Sequence, residues 1–247
     1  MPRNPLARVF AKHNAEGAVA ETELLTPTMK RITIVADEPM TPHTPGQHVR
    51  IEINDPLSLY GVLHPAETLR TYTIWDSSPP TRSFSLLAHL YDGDGIGLRW
   101  ARTARPGDRV RFWGPQGDFA TRRAPYHLFV GEETAAAAFG PMIRALAPGE
   151  QVVGVLESES AEDEVPVPGA HRIRRVHRHR APAASSRLLV DALAALDLPD
   201  GVGAAYVAGE ARTGQLVRDH LVRERGWPRE AIKVKPFWTP GKRGLHH

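Results

Sequence analysis

The chain of 247 residues contains no cysteine. This absence excludes disulfide bonds, thiol catalysis and cysteine-ligated iron–sulfur clusters. A protein of this composition that transfers electrons must therefore use an organic cofactor. Long apolar runs are missing as well, because no stretch of about 18 consecutive apolar residues occurs. The polar residues 1–5 are not followed by the apolar segment of a secretory signal, so we expect a cytoplasmic protein without a membrane partner.

The net charge is small, at +3, and the excess of basic residues is local. It lies in residues 171–180 and 233–243, where it suits an anionic small ligand. No zinc-finger, homeodomain or RNP-type pattern occurs, so we expect no nucleic-acid partner. The histidines at 171, 177 and 179 alternate with arginines, which repel a cation, so we predict no metal site.

The first half of the chain has the pattern of an antiparallel β-barrel. Short alternating or β-branched segments are separated by proline and glycine turns, and few helical patterns interrupt them. The predicted strands are residues 29–36, 47–53, 69–75, 82–90 and 109–113. Residues 6–12 and 19–25 have a mixed pattern and are left unassigned. We predict that this domain covers residues 1–122.

From residue 123 the composition changes to alternating buried strands and helices, which predicts a small α/β domain with a parallel sheet over residues 123–247. The predicted strands are residues 126–131, 151–157, 172–176, 204–209 and 232–235. The predicted helices are residues 135–146, 187–196 and 213–225. Pro141 is expected to kink or divide the first helix, and Ser185 or Ser186 to cap the second.

The strand at 69–75 carries side chains suited to a flat, phosphate-bearing ligand. Arg70 and Tyr72 share one face, because side chains two apart in a strand point the same way, and Thr73 lies on the other. A guanidinium can fork onto a diphosphate, and a tyrosine ring can pack against an aromatic or sugar surface. An ordinary solvated strand is the alternative interpretation of these residues taken alone.

Residues 92–97 form a glycine-rich loop that leads into a predicted helical segment at 98–102. Such a junction presents unpaired backbone N–H groups and the positive end of the helix dipole, which together can bind phosphate. Arg99 and Arg102 can add positive charge. A plain connection between loop and helix is the alternative.

These features occur in an order that resembles the siderophore-interacting protein family of ferric-siderophore reductases, within the ferredoxin-reductase-like flavoproteins. The motifs are Arg70-x-Tyr72-Thr73, the loop at 92–97, Gly114-Pro115-x-Gly117, Gly131-Glu132-Glu133-Thr134, Ala208-Gly209-Glu210 and Phe237-Trp238. The chain departs from the family pattern at Trp75, where an arginine often follows the tyrosine and threonine. It departs again at Phe237, where a tyrosine is usual.

The resemblance implies an FAD site. Arg70 would bind the diphosphate, while Tyr72 and Thr73 would be the catalytic residues beside the flavin ring. The other implied cofactor contacts are His89, Leu90, Gly97, Leu98, Arg99 and Thr134. His89 is equally well explained as a packed or surface histidine.

The resemblance also implies that the second domain binds NADPH or NADH as electron donor, where its strands meet helix N-termini. Gly131, Gly209 and Glu210 are the implied contacts, because glycine allows close backbone approach. A Gly-x-Gly-x-x-Gly fingerprint is absent. Arginines within 172–180 could hold a 2′-phosphate, or could form a solvated basic edge.

The implied function is NAD(P)H-dependent, FAD-mediated reduction of a ferric siderophore, which releases iron(II). The basic residues implied to bind the substrate are Lys233, Lys235, Lys242 and Arg243. Two alternatives stay open. One is a general flavin or ferredoxin-type reductase with a protein electron partner, and the other is a siderophore-binding protein without turnover.

Overall fold

The computed structural model describes residues 14–169 and 172–242. The chain divides into two compact units between Asp118 and Phe119. The boundary predicted from the sequence lies a few residues further along the chain, at 122–123.

Unit 1 is a closed antiparallel barrel of six strands, in the order β1-β2-β5-β4-β3-β6, which confirms the predicted fold class of the first half. Its strands are β1 (Asn14–Thr26), β2 (Met29–Ala36), β3 (His48–Glu52), β4 (Leu69–Ser78), β5 (Ser83–His89) and β6 (Arg109–Gln116). The barrel closes where β1 pairs with β6. Side chains such as Ile32, Phe84 and Phe112 fill its interior and are almost fully buried.

The described part of unit 1 also contains two α-helices, α1 (Leu59–Leu63) and α2 (Ile96–Thr103). Strand β1 was not predicted from the sequence, where residues 19–25 have a mixed pattern, and residues 6–12 lie outside the described residues. The alternating pattern of β1 is broken by register shifts between Val19 and Glu21 and between Leu24 and Thr26. Helix α1 was also missed, because it spans only 5 residues and most of its side chains are exposed.

Strand β4 runs further than predicted. The cluster of polar residues and prolines after Trp75 was expected to stop it, but pairing with β5 continues to Ser78 after a register shift between Ile74 and Asp76. The prolines instead begin a 3-10 turn at Pro79–Thr81. Pairing to a neighbouring strand therefore outweighs the weak strand propensity of this segment.

Unit 2 is a five-stranded parallel sheet in the order β11-β10-β7-β8-β9, which confirms the predicted class of the second half. Its strands are β7 (His127–Glu132), β8 (Val152–Ser158), β9 (Arg172–His177), β10 (Ala204–Glu210) and β11 (Ile232–Trp238). Its helices are α3 (Glu133–Arg144), α4 (Arg187–Ala194) and α5 (Ala211–Arg223).

Each face of the sheet is covered by helices. Residues of α3 such as Phe139 and Met142 pack with Phe129 and Tyr206 of the sheet. Residues of α4 and α5 such as Leu193 and Leu221 belong to a separate apolar cluster of the sheet. The interior of unit 2 therefore consists of two apolar layers, one on each side of the sheet.

Helix α3 continues through Pro141 as one element, so the proline does not divide it. Its residues from Ala135 to Ile143 are buried, so the free energy gained by packing outweighs the loss of the one backbone hydrogen bond that proline cannot donate. The predicted cap of α4 is confirmed at Ser186, whose Oγ accepts a hydrogen bond from the N–H of Leu189 at 3.2 Å.

Candidate functional site

Strand β4 and the start of helix α2 meet in unit 1. The hydroxyl of Tyr72 donates a hydrogen bond to the carbonyl oxygen of Gly97 at 3.0 Å. A Cβ atom added to Gly97 would lie 2.8 Å from Cγ of Arg70 and 3.0 Å from the Tyr72 hydroxyl. The structure thus brings together three residues predicted from two separate motifs, and leaves room only for glycine at this position.

Helix α2 begins at this junction without a side-chain cap, after Gly95. Gly97 and Leu98 are buried in its first turn, whereas the side chain of Arg99 is exposed. The N–H groups of a first helical turn have no acceptor within the helix, and the helix dipole is positive there. This end of α2 can therefore accept an anion.

The opposite end of α2 is anchored by Lys30, a residue that was not predicted from the sequence. Its Nζ donates to the carbonyl oxygens of Ala101 at 2.8 Å and Ala104 at 2.9 Å. A cation at the C-terminus of a helix interacts favourably with the helix dipole, and it also donates hydrogen bonds to the last carbonyl groups. Lys30 lies on β2, far from α2 in sequence, so only the folded barrel reveals this contact.

The side chain of Arg70 is held by its own neighbourhood. Its Nη1 donates to the carbonyl oxygens of Ala66 at 2.8 Å and Leu69 at 2.7 Å. Since a guanidinium carries five N–H donors in a fixed plane, these two bonds set the orientation of the whole group.

Tyr72 is half-buried and lies 5.3 Å from the ring of Trp100, measured between centroids and with a 44° tilt. Burial raises the pKa of the Tyr72 hydroxyl, so it remains a neutral donor. Trp100 was not among the predicted site residues. Trp100 could have been predicted from its position three residues after Gly97, because residues three apart on a helix lie on the same face.

The remaining residues predicted for unit 1 occupy varied positions. Thr73 is half-buried and pairs with His48 of β3. His89 ends β5, with its ring 5.9 Å from that of Tyr91, and the N–H of Leu90 donates to Thr28 at 2.7 Å. Their contacts with a cofactor stay predictions.

Two further side chains of unit 1, those of Trp75 and Arg102, are occupied within the protein. Trp75, which stands in place of the usual arginine, is only 8% exposed. Arg102 donates to the carbonyl oxygens of Tyr91 at 2.6 Å and Gly93 at 3.0 Å. Arg102 therefore holds the loop that precedes α2.

In unit 2 the carboxyl ends of the parallel strands share one edge of the sheet, and Glu132 is buried there. Its carboxylate accepts hydrogen bonds from the N–H of Thr134 at 2.7 Å, from the Thr134 hydroxyl, and from Nε1 of Trp238 at 2.9 Å. Burial, together with the negative charge of Glu133, raises the pKa of Glu132 to about 7. Glu132 is thus the N-cap of α3.

Glu210 occupies the same position at the start of α5. Its carboxylate accepts from the N–H groups of Ser185, Arg212 and Thr213 at 2.8–3.0 Å, and from the Thr213 hydroxyl at 3.0 Å. Burial alone would raise the pKa of Glu210, but these donors outweigh it and lower the pKa below its usual value. Glu210 therefore stays ionised.

A buried ion-pair network lies beside these caps. The guanidinium of Arg178 forms a two-pronged contact with Glu133, and its Nη1 lies 3.6 Å from Oε1 of Glu157. Ser186 donates its hydroxyl proton to Glu157. The arginine that lies deepest in the predicted basic run thus neutralises carboxylates of its own unit.

The two glycines predicted to allow close approach of a dinucleotide are packed against the protein. A Cβ at Gly131 would lie 2.4 Å from the Cβ of Ala135 and 2.6 Å from the carbonyl oxygen of Ala208. Gly209 has a φ of +114°, and a Cβ there would lie 2.4 Å from Oε1 of Glu132. Both glycines are therefore required by internal packing.

The predicted substrate residues lie on β11 and after it. Lys233 and Lys235 are partly exposed and pair with Tyr206 and Ala208 of β10. Lys242 is exposed, and Arg243 lies outside the described residues. Phe237 is partly buried and packs against the apolar layer that contains α3.

The described part of the chain holds no group of three or more residues of metal-binding type placed to share an ion. His177 contacts Glu164 at 2.8 Å, and His171 is not among the described residues. Across residues 14–169 and 172–242, no helix combines the length and apolarity needed to cross a bilayer.

Comparison with known proteins agrees with this arrangement. A family model for a siderophore-interacting FAD-binding domain matches residues 18–119, and one for a siderophore-interacting protein matches residues 124–241. The mycobactin import ATP-binding/permease protein IrtA of Mycolicibacterium smegmatis is 27% identical over 96% of this chain. The chain spans only 27% of the length of IrtA. The ferric vibriobactin reductase ViuB of Vibrio cholerae is 27% identical over 61% of this chain and 57% of its own.

Solved structures share the whole fold. A siderophore utilization protein from T. fusca superposes with a TM-score of 0.82 at 25% identity, covering 95% of both chains. The siderophore-interacting protein SipS of Aeromonas hydrophila superposes with a TM-score of 0.79 at 22% identity, covering 93% of both chains. With both units matched by the family models, the chain belongs to the siderophore-interacting protein family, whose FAD-binding domain model matches the first unit.

Proposed function

We propose that this protein is an FAD-dependent reductase that reduces iron(III) held by a siderophore and so releases iron(II) in the cytoplasm. The observation that carries the proposal is the junction in unit 1, where Gly97 leaves no room for a side chain beside Arg70 and Tyr72. An uncapped helix start, an oriented guanidinium and a neutral phenol converge there.

These residues fit FAD. Its diphosphate requires backbone N–H donors and a fixed cation, which the first turn of α2 and Arg70 supply. Its ring system requires an aromatic surface, which Tyr72 provides with Trp100 behind it. Thr73, His89 and Leu90 are proposed to border the ring and the ribityl chain.

Bound FAD would supply the ability to take up two electrons and deliver them one at a time. The chain holds that group in place, because Arg70 is oriented by two carbonyl oxygens and α2 is anchored by Lys30. The hydroxyl of Tyr72 stays protonated, since burial raises its pKa, so it cannot place a negative charge beside the flavin.

Lys233 and Lys235 are proposed to attract the ferric siderophore, which is often anionic. They lie two residues apart on β11 and therefore present their charges on one face of the strand. The electron donor is proposed to be a nicotinamide dinucleotide or a reduced ferredoxin, the two donors that the sequence leaves open. The vibriobactin reductase among the relatives supports reduction as the chemistry.

The visible spectrum of the purified protein tests this function. We expect bound flavin that bleaches under anaerobic reduction with dithionite, and that recovers its colour when a ferric siderophore is added. Iron(II) should appear at the same time, measured with an iron(II)-specific chromophoric chelator. Free FAD with the same siderophore is the control. Failure to retain FAD after reconstitution would contradict the proposed site, and bound flavin that ferric siderophores do not reoxidise would contradict the proposed substrate.

A further inference from the structure

The carboxyl edge of the parallel sheet in unit 2 is where proteins of this architecture bind a dinucleotide. The diphosphate of the dinucleotide sits at a helix N-terminus and accepts hydrogen bonds from N–H groups of the first turn. Such a site requires those N–H groups to be available and the local charge to favour an anion.

At the N-terminus of α3, the position that a diphosphate would occupy is filled by the side chain of Glu132. This side chain is only 2% exposed and receives three hydrogen bonds, two from Thr134 and one from Trp238. Its Oε1 also lies 2.4 Å from the position that a Cβ of Gly209 would occupy, so the space left by that glycine is filled by the carboxylate.

At α5 the place is taken by Glu210, which is also 2% exposed. It receives four hydrogen bonds, from the N–H groups of Ser185, Arg212 and Thr213 and from the Thr213 hydroxyl. A diphosphate could reach the N–H groups of Arg212 and Thr213 only by expelling this carboxylate, which stays ionised.

The start of α4, between these two along the chain, offers no better site. Ser186 caps it with its hydroxyl oxygen, and the hydroxyl proton is donated to the buried Glu157. Arg178, which contacts Glu157, is bound more closely to Glu133. In the described part of unit 2, each helix that starts at this edge is thus capped by a carboxylate, or by a serine that is itself hydrogen-bonded to a carboxylate.

We propose that Glu132 and Glu210 are specificity-determining residues that exclude the diphosphate of a dinucleotide from the N-termini of α3 and α5. This inference rests on the proposed reductase function, because it concerns the electron donor of that reaction. If the proposal holds, NADH and NADPH are poor electron donors, because their diphosphate cannot bind at these helix N-termini as it does in other α/β domains. Glu210 was predicted from the sequence to contact the dinucleotide, and here it is proposed to exclude it.

The test uses ADP-ribose, which contains the diphosphate and adenosine but no nicotinamide, titrated calorimetrically into the FAD-loaded protein. The informative variant is Glu210→Ser, because serine is also a good N-cap but carries no charge. We expect a dissociation constant weaker than about 1 mM for the natural protein and a gain of about tenfold for the variant.

Two further variants complete the design. Glu224→Ser removes the same charge from the opposite, exposed end of α5 and should leave ADP-ribose affinity unchanged. Glu132→Gln removes the charge and can keep one oxygen as the acceptor for Trp238 and the Thr134 hydroxyl, but it loses the acceptor for the Thr134 N–H. It should also gain affinity if Glu210→Ser does not fold. Equal affinities in all of these proteins, or micromolar binding by the natural protein, would overturn the proposal. Loss of the reductase function itself would show separately, as absence of flavin or of siderophore-driven reoxidation.

Discussion

Replacing Gly97 by alanine should weaken FAD binding more than it disturbs the fold. The new Cβ would lie 2.8 Å from Cγ of Arg70 and 3.0 Å from the hydroxyl of Tyr72. Carbon atoms in contact normally lie about 3.5–4.0 Å apart, so Arg70 must move by roughly 1 Å. Both displaced residues are the ones proposed to hold FAD.

The magnitude follows from two opposing effects. Inserting a methyl group into a packed site costs about 1–3 kcal/mol, whereas alanine favours a helix over glycine by up to about 1 kcal/mol. Without FAD the side chain of Arg70 can shift only by loosening its hydrogen bonds to Ala66 and Leu69, so the two effects together should lower the free energy of unfolding by about 0–2 kcal/mol. With FAD that shift is blocked, and a loss of about 1–3 kcal/mol corresponds to roughly 5- to 150-fold weaker binding.

The assay is a fluorescence titration of the apoprotein with FAD, combined with urea unfolding of the same apoprotein. Gly214→Ala is the matched control, because it also adds a methyl group to a helical glycine, at 3.1 Å from Cγ1 of Val234 in unit 2. FAD affinity of the Gly97 variant within about twofold of the natural protein would refute the assignment of this junction as the cofactor site.

Three further predictions follow from the same structure. Arg70→Ala should lower FAD affinity about tenfold or more, because it removes a charge-assisted contact, while Arg50→Ala on the exposed side of β3 should not; flavin content after gel filtration decides. Lys233→Ala combined with Lys235→Ala should weaken binding of an anionic ferric siderophore without changing flavin content, measured by quenching of tryptophan fluorescence; unchanged affinity would remove both lysines from the site. His127 is only 1% exposed, and burial lowers the pKa of its ring because the folded protein favours the neutral form. Its contribution to the free energy of unfolding should therefore be complete above the unfolded-state pKa of about 6.5, and should be lost as the pH falls toward the lower pKa of the folded state. Urea unfolding at several pH values should show this loss in the natural protein and a smaller one in His127→Phe, and identical pH profiles would contradict it.

The order of the units and most strands were predictable from the sequence. Alternating and β-branched segments such as 29–36 and the buried run of β7 carry their periodicity locally, and glycine and proline mark their ends. The strand that carries Arg70 and Tyr72 and the helix that follows the glycine-rich loop were recognisable for the same reason. Strand β1 was not, because its register shifts interrupt the alternation on which recognition depends.

The residues suited to FAD, such as Arg70, Tyr72 and Gly97, could therefore be predicted from the sequence, since their spacing and chemical type are local properties. Only the tertiary structure decided that Gly97 packs against Arg70 and Tyr72, and that Lys30 anchors the far end of α2. It also decided that Gly209 makes room for the carboxylate of Glu132. A glycine in a sequence shows that space is needed at that position, but which atoms fill the space depends on contacts between segments far apart along the chain.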